Sequence, residues 1–285
     1  MKFQGKRQET KAGRRQMVGR RAFVLGLGSL ATGSALAQVD VGSASPMARL
    51  VPAQTLERAA DEQYAELLAQ ARRQGALART QDAQLLQLHA VARRLIPFAL
   101  QWNERARAWR WEVNLIRSRE INAFCMPGGK IAFYTGILDR LRLSEDEIAM
   151  VMGHEMAHAL REHARERLAK TQATNIGINL GAQLLGLGDL GRMAAHLGGQ
   201  LLTLKFSRSD ESEADLVGLE LAARAGYDPQ AAVSLWRKMA EASGAGGVGF
   251  LSTHPSGPER IASLQKNLSK VQPLYEQARA RRVQQ

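Results

Sequence analysis

The segment His154-Glu155-Met156-Ala157-His158 constrains this chain more than any other feature of its sequence. Two histidines four residues apart lie on one face of an α-helix, where both imidazoles can bind one zinc ion at about 2.0–2.1 Å. Glu155 is rotated by roughly 100° from His154. Its carboxylate therefore lies beside such an ion, where it can accept a proton from water. The segment predicts a metal-binding helix that also carries a general base.

Apolar residues surround this segment on almost every side of the predicted helix. They are Ile148, Ala149, Val151, Met152, Met156, Ala157, Ala159 and Leu160. A helix that is apolar all round is buried, and buried polar side chains need partners. The alternative is an ordinary helix with three polar residues on its exposed side. A metal ion satisfies all three polar residues of a buried helix at once, so the flanking residues favour the metal.

A third metal ligand is expected from a later acidic segment, because catalytic zinc takes three protein ligands and keeps a fourth position open. The best candidate is Glu211. Asp215 lies one helical turn after it and can accept a hydrogen bond from a liganding histidine, which fixes the tautomer and orientation of that ring. The alternative is an acidic helix start at the surface. Glu213 lies on a different helical face, and we expect its side chain to be exposed to solvent.

The rest of the chain is mostly helical, with one short region of strands. Apolar spacing predicts helices at residues 55–74, 82–94, 210–225, 228–242 and 258–269. A capping box of Ser144 and Glu147 opens the histidine helix, which we expect to continue to about residue 169. Strands are predicted at 109–116, 121–126 and 130–134, with a turn at Pro127-Gly128-Gly129. The predicted fold class is α+β, a mostly helical zincin-like domain with a small antiparallel sheet.

Two further features follow from this assignment. His163 comes five residues after His158, so on a continuous helix it faces another direction, and we expect it to be exposed. Residues 174–206 are rich in glycine and leucine and carry little charge. They predict one or two short apolar helices or a mobile cover over the site.

The first 37 residues are typical of an export signal. A basic region ends at Arg20-Arg21, and an apolar stretch follows that ends in Ala35-Leu36-Ala37. That stretch is shorter than the ~20 residues a membrane span needs. The paired arginines resemble a twin-arginine signal, although Gly19 stands where such signals usually have Ser or Thr. The alternative is a basic tail that leads into a buried helix.

Charge and cysteine content narrow the choice of partners. The formal net charge is +12, but eight basic residues and one acidic residue lie within residues 1–37, so the remaining chain is only mildly basic. We therefore expect no nucleic-acid partner. The single cysteine, Cys125, cannot form an intramolecular disulfide, and we expect it to be buried in a strand.

We predict four segments from these patterns. A twin-arginine-type signal peptide covers 1–37, a linker 38–54, a zinc-binding domain 55–273 and a basic C-terminal tail 274–285. The signal predicts a periplasmic protein.

Taken together, the motifs resemble the gluzincin metallopeptidases, the family of HtpX, the CAAX prenyl protease and the periplasmic proteases BepA and LoiP. The resemblance spans roughly residues 85–270. It rests on the histidine segment, on Glu211 to Gly218, on Asn122 to Gly129 with Thr135-Gly136, and on Thr253-His254-Pro255 followed by Glu259-Arg260-Ile261.

The resemblance implies zinc ligands at His154, His158 and Glu211, with Glu155 as the general base. His254 matches a histidine that approaches the zinc in some members, either as a provisional fourth ligand or as a donor to the oxyanion. The alternative for His254 is a contact at a helix N-terminus beside Pro255. HtpX and the prenyl protease have several membrane helices and BepA has a helical-repeat domain, and we expect this chain to be a stand-alone soluble catalytic domain without them.

The implied function is a zinc-dependent metalloendopeptidase with one zinc ion per chain. Its expected substrates are periplasmic or outer-membrane proteins, chiefly unfolded or misassembled envelope proteins, in envelope quality control with peripheral contact to the outer membrane. One alternative is a periplasmic chaperone or assembly factor that uses the same zinc fold with little proteolysis. Another is a zinc hydrolase that does not act on peptides.

Overall fold

A computed structural model describes residues 39–178, 201–202, 204–243, 249–254 and 257–283. The predicted signal peptide lies outside the described residues, as does most of the predicted cover at 174–206.

Helices dominate the described part of the chain and confirm the α+β class. The α-helices are α1 (Ala53–Arg73), α2 (Ala83–Leu95), α3 (Thr135–Leu141), α4 (Glu145–Leu160), α5 (His163–Ile178), α6 (Arg208–Arg224), α7 (Ala231–Ser243), α8 (Gly249–Thr253) and α9 (Pro258–Val283). Short 3-10 helices cover Pro46–Leu50, Ile96–Gln101 and Glu104–Arg107. Within the described residues, none of the helices combines the length and apolar character that crossing a membrane requires.

The sheet contains β1 (Glu112–Ile116), β2 (Ala123–Met126) and β3 (Lys130–Tyr134), in the order β1-β3-β2. β2 and β3 are antiparallel and are joined by the predicted glycine turn, whereas β1 runs parallel to β3. The sheet is therefore mixed, and the prediction of a purely antiparallel sheet is wrong for β1. The chain crosses after β1 to the far side of the sheet, so β3 fills the central place, which an apolar pattern does not specify.

The helix that carries the two histidines ends earlier than predicted. α4 begins with the predicted capping box of Ser144 and Glu147 and ends at Leu160. Glu162 then takes a left-handed conformation with φ of 60°, and α5 starts at His163. Neither glycine nor proline marks this turn in the sequence. Because the chain turns here, His163 lies back against α4 and is only 2% exposed, so the prediction that it is exposed is wrong.

α4 and α6 touch backbone to backbone where Gly153 meets Gly218. A methyl group on Gly218 would lie 2.6 Å from the backbone nitrogen of His154. A methyl group on Gly153 would lie 2.8 Å from the backbone oxygen of Gly218. Both distances are far shorter than van der Waals contact, so only glycine fits. This contact sets the distance between the histidines of α4 and the acidic residues of α6.

The described residues next to both predicted domain boundaries pack against the domain. Val39, Ala48 and Val51 are buried, so residues 39–54 pack against the domain. α9 continues beyond residue 273, with Leu274 buried, and ends at Val283. The basic composition of residues 274–283 therefore belongs to the last turns of a helix.

Replacing Gly218 with alanine tests the helix contact. We expect Gly218→Ala to lower the free energy of unfolding by about 1–3 kcal/mol, because the methyl group must push α6 away from α4. Ser212→Ala is the matched control on the exposed side of the same helix. It should change the free energy of unfolding by less than about 0.5 kcal/mol. Urea unfolding followed by circular dichroism measures both. Equal effects of the two variants would contradict the contact.

Candidate metal centre

Three parts of the fold bring four donor side chains to one point. α4 supplies His154 and His158, α6 supplies Glu211, and His254 follows directly after α8. One ligand atom from each residue lies within 4.8 Å of the others. All four side chains are buried.

The distances between these atoms fit one zinc ion. The Nε2 atoms of His154 and His158 are 3.1 Å apart. Each of them lies 3.4 Å from a carboxylate oxygen of Glu211. A tetrahedral ion with bonds of about 2.0–2.1 Å separates its ligands by roughly 3.3 Å. The residues present therefore match the donor types and the spacing that zinc requires.

His254 completes the cluster as a fourth donor. Its Nδ1 lies 2.9 Å from Glu211 Oε1 and 3.4 Å from His154 Nε2. Its ring stacks on Phe250 with a centroid distance of 4.4 Å. The ring thus points into the donor cluster.

Glu155 lies between the donor cluster and the sheet. Its side chain is buried, and burial raises the pKa of its carboxyl group above the usual range. Its Oε1 lies 3.6 Å from His254 Nε2. Glu155 and His158 line a cavity whose other walls are residues 122–127 around β2, Phe206 and His254. This cavity is where a substrate can meet both the metal ligands and a proton acceptor.

Asp215 lies behind the ring of His154, outside the cluster, with its Oδ1 3.0 Å from His154 Nδ1. Arg260 donates two hydrogen bonds of 2.7 Å to Asp215 and lies 2.7 Å from Glu211 Oε2. The guanidinium of Arg260 also lies over the ring of Trp236. Arg260 thus joins both acidic residues of α6. Sequence reasoning gave it no role, although it lies in the motif that follows His254.

The protonation states of the site follow from burial and these contacts. Burial alone would lower the pKa of His154, but the carboxylates of Asp215 and Glu211 outweigh it and raise this pKa to about 9. Burial lowers the pKa of His158 well below its usual value. Burial would raise the pKa of Glu211, but its bonds to His154, His158 and His254 lower it instead. A metal ion binds the ionised form of Glu211 and the neutral forms of His154 and His158, so its binding displaces the proton that the two carboxylates favour on His154.

Glu213 is not solvated as predicted. Its side chain is 22% exposed, forms an ion pair with Arg161 and faces His163. His163 in turn contacts His158. The left-handed turn at Glu162 brings these residues together. A prediction that treats α4 and α5 as one helix cannot place them.

The arrangement is that of a zinc metallopeptidase. Two imidazoles and one carboxylate are placed where they could bind such an ion, and a separate buried carboxylate lies beside them. The chain belongs to Peptidase family M48, whose sequence model matches residues 82–268. This match confirms the predicted resemblance to the gluzincins and the prediction of a zinc cofactor.

Several curated proteins are similar to this chain. It is 40% identical over 166 residues to the Mitochondrial metalloendopeptidase OMA1 of Schizosaccharomyces pombe, which covers 57% of this chain and 48% of that protein. The protein of the same name from Arabidopsis thaliana is 40% identical over 150 residues, 53% of this chain and 30% of that protein. The Beta-barrel assembly-enhancing protease of Escherichia coli is 29% identical over 175 residues, 58% of this chain and 36% of that protein. The chain thus spans at most about half the length of these relatives.

Removing the carboxylate of Asp215 tests its role behind His154. We expect Asp215→Asn to weaken zinc binding by about 10–100-fold, because the amide holds the imidazole tautomer less firmly. Competition against a coloured zinc chelator measures the dissociation constant. Asp139→Asn, at an exposed position of α3, is the control and should leave it unchanged. An unchanged constant for Asp215→Asn would rule out this role.

Proposed function

We propose that this protein is a zinc-dependent endopeptidase in which His154, His158 and Glu211 hold the metal and Glu155 is the general base. The buried carboxylate of Glu155, which shares one cavity with His158, His254 and β2, carries this proposal. A structural metal site needs no second carboxylate beside it. A hydrolytic site does, since a proton must leave water as it attacks.

A zinc ion held by His154, His158 and Glu211 would supply a Lewis acid for the scissile carbonyl and would lower the pKa of a water molecule. Glu155 takes the proton from the attacking water and delivers it to the leaving nitrogen. The raised pKa of Glu155 suits a group that must both accept and release this proton. His254, 3.6 Å from Glu155, is placed to donate a hydrogen bond to the oxyanion once it moves away from Glu211.

The edge of β2 is the proposed binding place for an extended substrate. β2 pairs with β3 on one side, and in the described part of the chain no strand pairs with its other side. Its residues line the cavity that contains Glu155 and His158. A polypeptide that adds to this edge through backbone hydrogen bonds would bring its carbonyl groups to the metal donors. β3 was the other candidate from the sequence, but it is the central strand and has no free edge.

We further propose that the protein is exported to the periplasm and cleaves unfolded or misassembled envelope proteins, with peripheral contact to the outer membrane. The basic, apolar and small-residue pattern of residues 1–37 supports export. The names of the relatives point in two directions, because some are mitochondrial and others are called beta-barrel assembly-enhancing proteases. The export signal favours the envelope.

Changing both signal arginines tests the location. We expect the full-length wild type to appear in the periplasmic fraction of a bacterial host as a shortened mature form, since the twin-arginine route reads this pair. Arg20→Lys with Arg21→Lys should leave the unprocessed precursor in the cytoplasm. Arg14→Lys with Arg15→Lys is the matched control. Unchanged processing of the Arg20 and Arg21 variant would contradict a twin-arginine signal.

A second candidate function is a chaperone or assembly factor with little proteolysis. The closed state of the site favours it: the four donor residues are at most 4% exposed. The ring of Phe206 stacks on His158 at 3.9 Å between centroids. The described end of the predicted cover (Leu201, Leu202 and Leu204) lines the same cavity. A polypeptide reaches a site that is covered in this way only after these side chains move, which would make cleavage slow.

Glu155→Gln separates the two candidates. We expect this variant to bind one zinc ion per chain but to cleave an unfolded protein such as casein at least 100-fold more slowly, because the amide cannot accept the proton. Metal analysis and a gel-based digest measure the two properties on one sample. Glu145→Gln, on the exposed first turn of the same helix, should behave as wild type.

The cellular effect of the same variant decides between the candidates. If cells that carry Glu155→Gln lose both the cleavage and the protection against misassembled envelope proteins, the peptidase function holds. If these cells keep the full protection, the binding function replaces it.

A further inference from the structure

His163 lies directly behind the ring of His158. The left-handed turn at Glu162 ends α4 and folds the first residue of α5 back toward the metal donors. The Nδ1 atoms of His163 and His158 are 2.9 Å apart, and the two rings meet edge to face at 75°. His163 is 2% exposed. A buried histidine at this distance from a ligand is a hydrogen-bond partner of that ligand.

The direction of this hydrogen bond follows from the metal site. His158 points its Nε2 toward His154 and Glu211, so its ring proton lies on Nδ1 when the imidazole is a neutral ligand. His158 Nδ1 therefore donates, and His163 Nδ1 accepts. The proton of a neutral His163 is then on Nε2.

The far side of His163 faces an anchored carboxylate. His163 Nε2 lies 3.6 Å from Glu213 Oε2, on α6. Arg161 pairs with Glu213 and donates a hydrogen bond of 2.9 Å to the backbone oxygen of Gly42. The negative charge of Glu213 favours the tautomer with its proton on Nε2. A chain of contacts thus runs from the N-terminal residues of the domain to His158.

We propose that His163 is a positioning residue that fixes the tautomer and ring orientation of His158, as Asp215 does for His154. This inference rests on the proposed role of His158 as a zinc ligand. The two ligands are held differently, because an ionised carboxylate orients His154 whereas a neutral imidazole orients His158. Because His163 accepts this hydrogen bond its ring is neutral, and Glu213 influences the orientation of His158 through its contact with that ring.

Two substitutions of His163 distinguish this role from simple core packing. His163→Leu keeps an apolar side chain but removes the acceptor. His163→Asn keeps a polar atom near the position of Nδ1. We expect His163→Leu to raise the zinc dissociation constant by about 10–100-fold and His163→Asn to raise it by only a few-fold. Chelator competition on the mature protein measures both, and the visible spectrum of the cobalt-substituted protein reports the geometry of the site.

A double variant tests the link to Glu213. Glu213→Gln should weaken zinc binding in the wild type but add little to the effect of His163→Leu, because the carboxylate acts through that ring. His89→Leu is the matched control, since His89 is a half-buried histidine whose ring contacts the backbone oxygen of Val113. It should leave zinc binding and the cobalt spectrum unchanged.

His158→Ala in the same assay tests the ligand role of His158 separately from the positioning role of His163. If His158→Ala binds zinc as tightly as wild type, the proposed ligand set fails. If His158→Ala loses zinc but His163→Leu binds it normally, only the positioning role is overturned. If His163→Leu and His163→Asn weaken zinc binding equally and lower the melting temperature of the zinc-free protein equally, the role of His163 is core packing.

Discussion

The backbone contact between Gly153 and Gly218 is the constraint on which the rest of this site depends. It holds α4 and α6 close enough for Glu211 to reach both histidines and for Asp215 to reach His154. A side chain at either glycine would push the two helices apart and move Glu211 and Asp215 away from the histidines. The metal donors are therefore close together because the helices have no side chains where they cross.

The sequence predicted the parts of the site that lie on one regular element. His154, Glu155 and His158 follow from helical spacing, and the spacing of Glu211 and Asp215 is again one turn. The structure brings these residues together with His254. The positions of His163 and Glu213 could not be predicted, because they depend on one left-handed residue, Glu162, in a stretch without glycine or proline. Similarly, the strand pattern located β1 but not its parallel pairing with β3, which depends on a long-range crossover.

The polar groups around the donors form a shell that is almost closed to solvent. Arg260 links the acidic residues of α6 to the region after His254, and Arg161 links Glu213 to the first residues of the domain. Burial makes each of these charges costly on its own, so they occur as pairs. A substrate at the proposed β2 edge would have to displace Phe206 or His254, so access to the cavity would depend on residues that also contact the metal donors.

The most direct test of the account is a titration of peptidase activity against bound zinc on a single preparation. Removing zinc stepwise with a chelator should reduce the cleavage of unfolded protein in proportion to the zinc lost, and added zinc should restore it. We expect one zinc ion per chain at full activity. Cleavage that persists after all the zinc has been removed would contradict it.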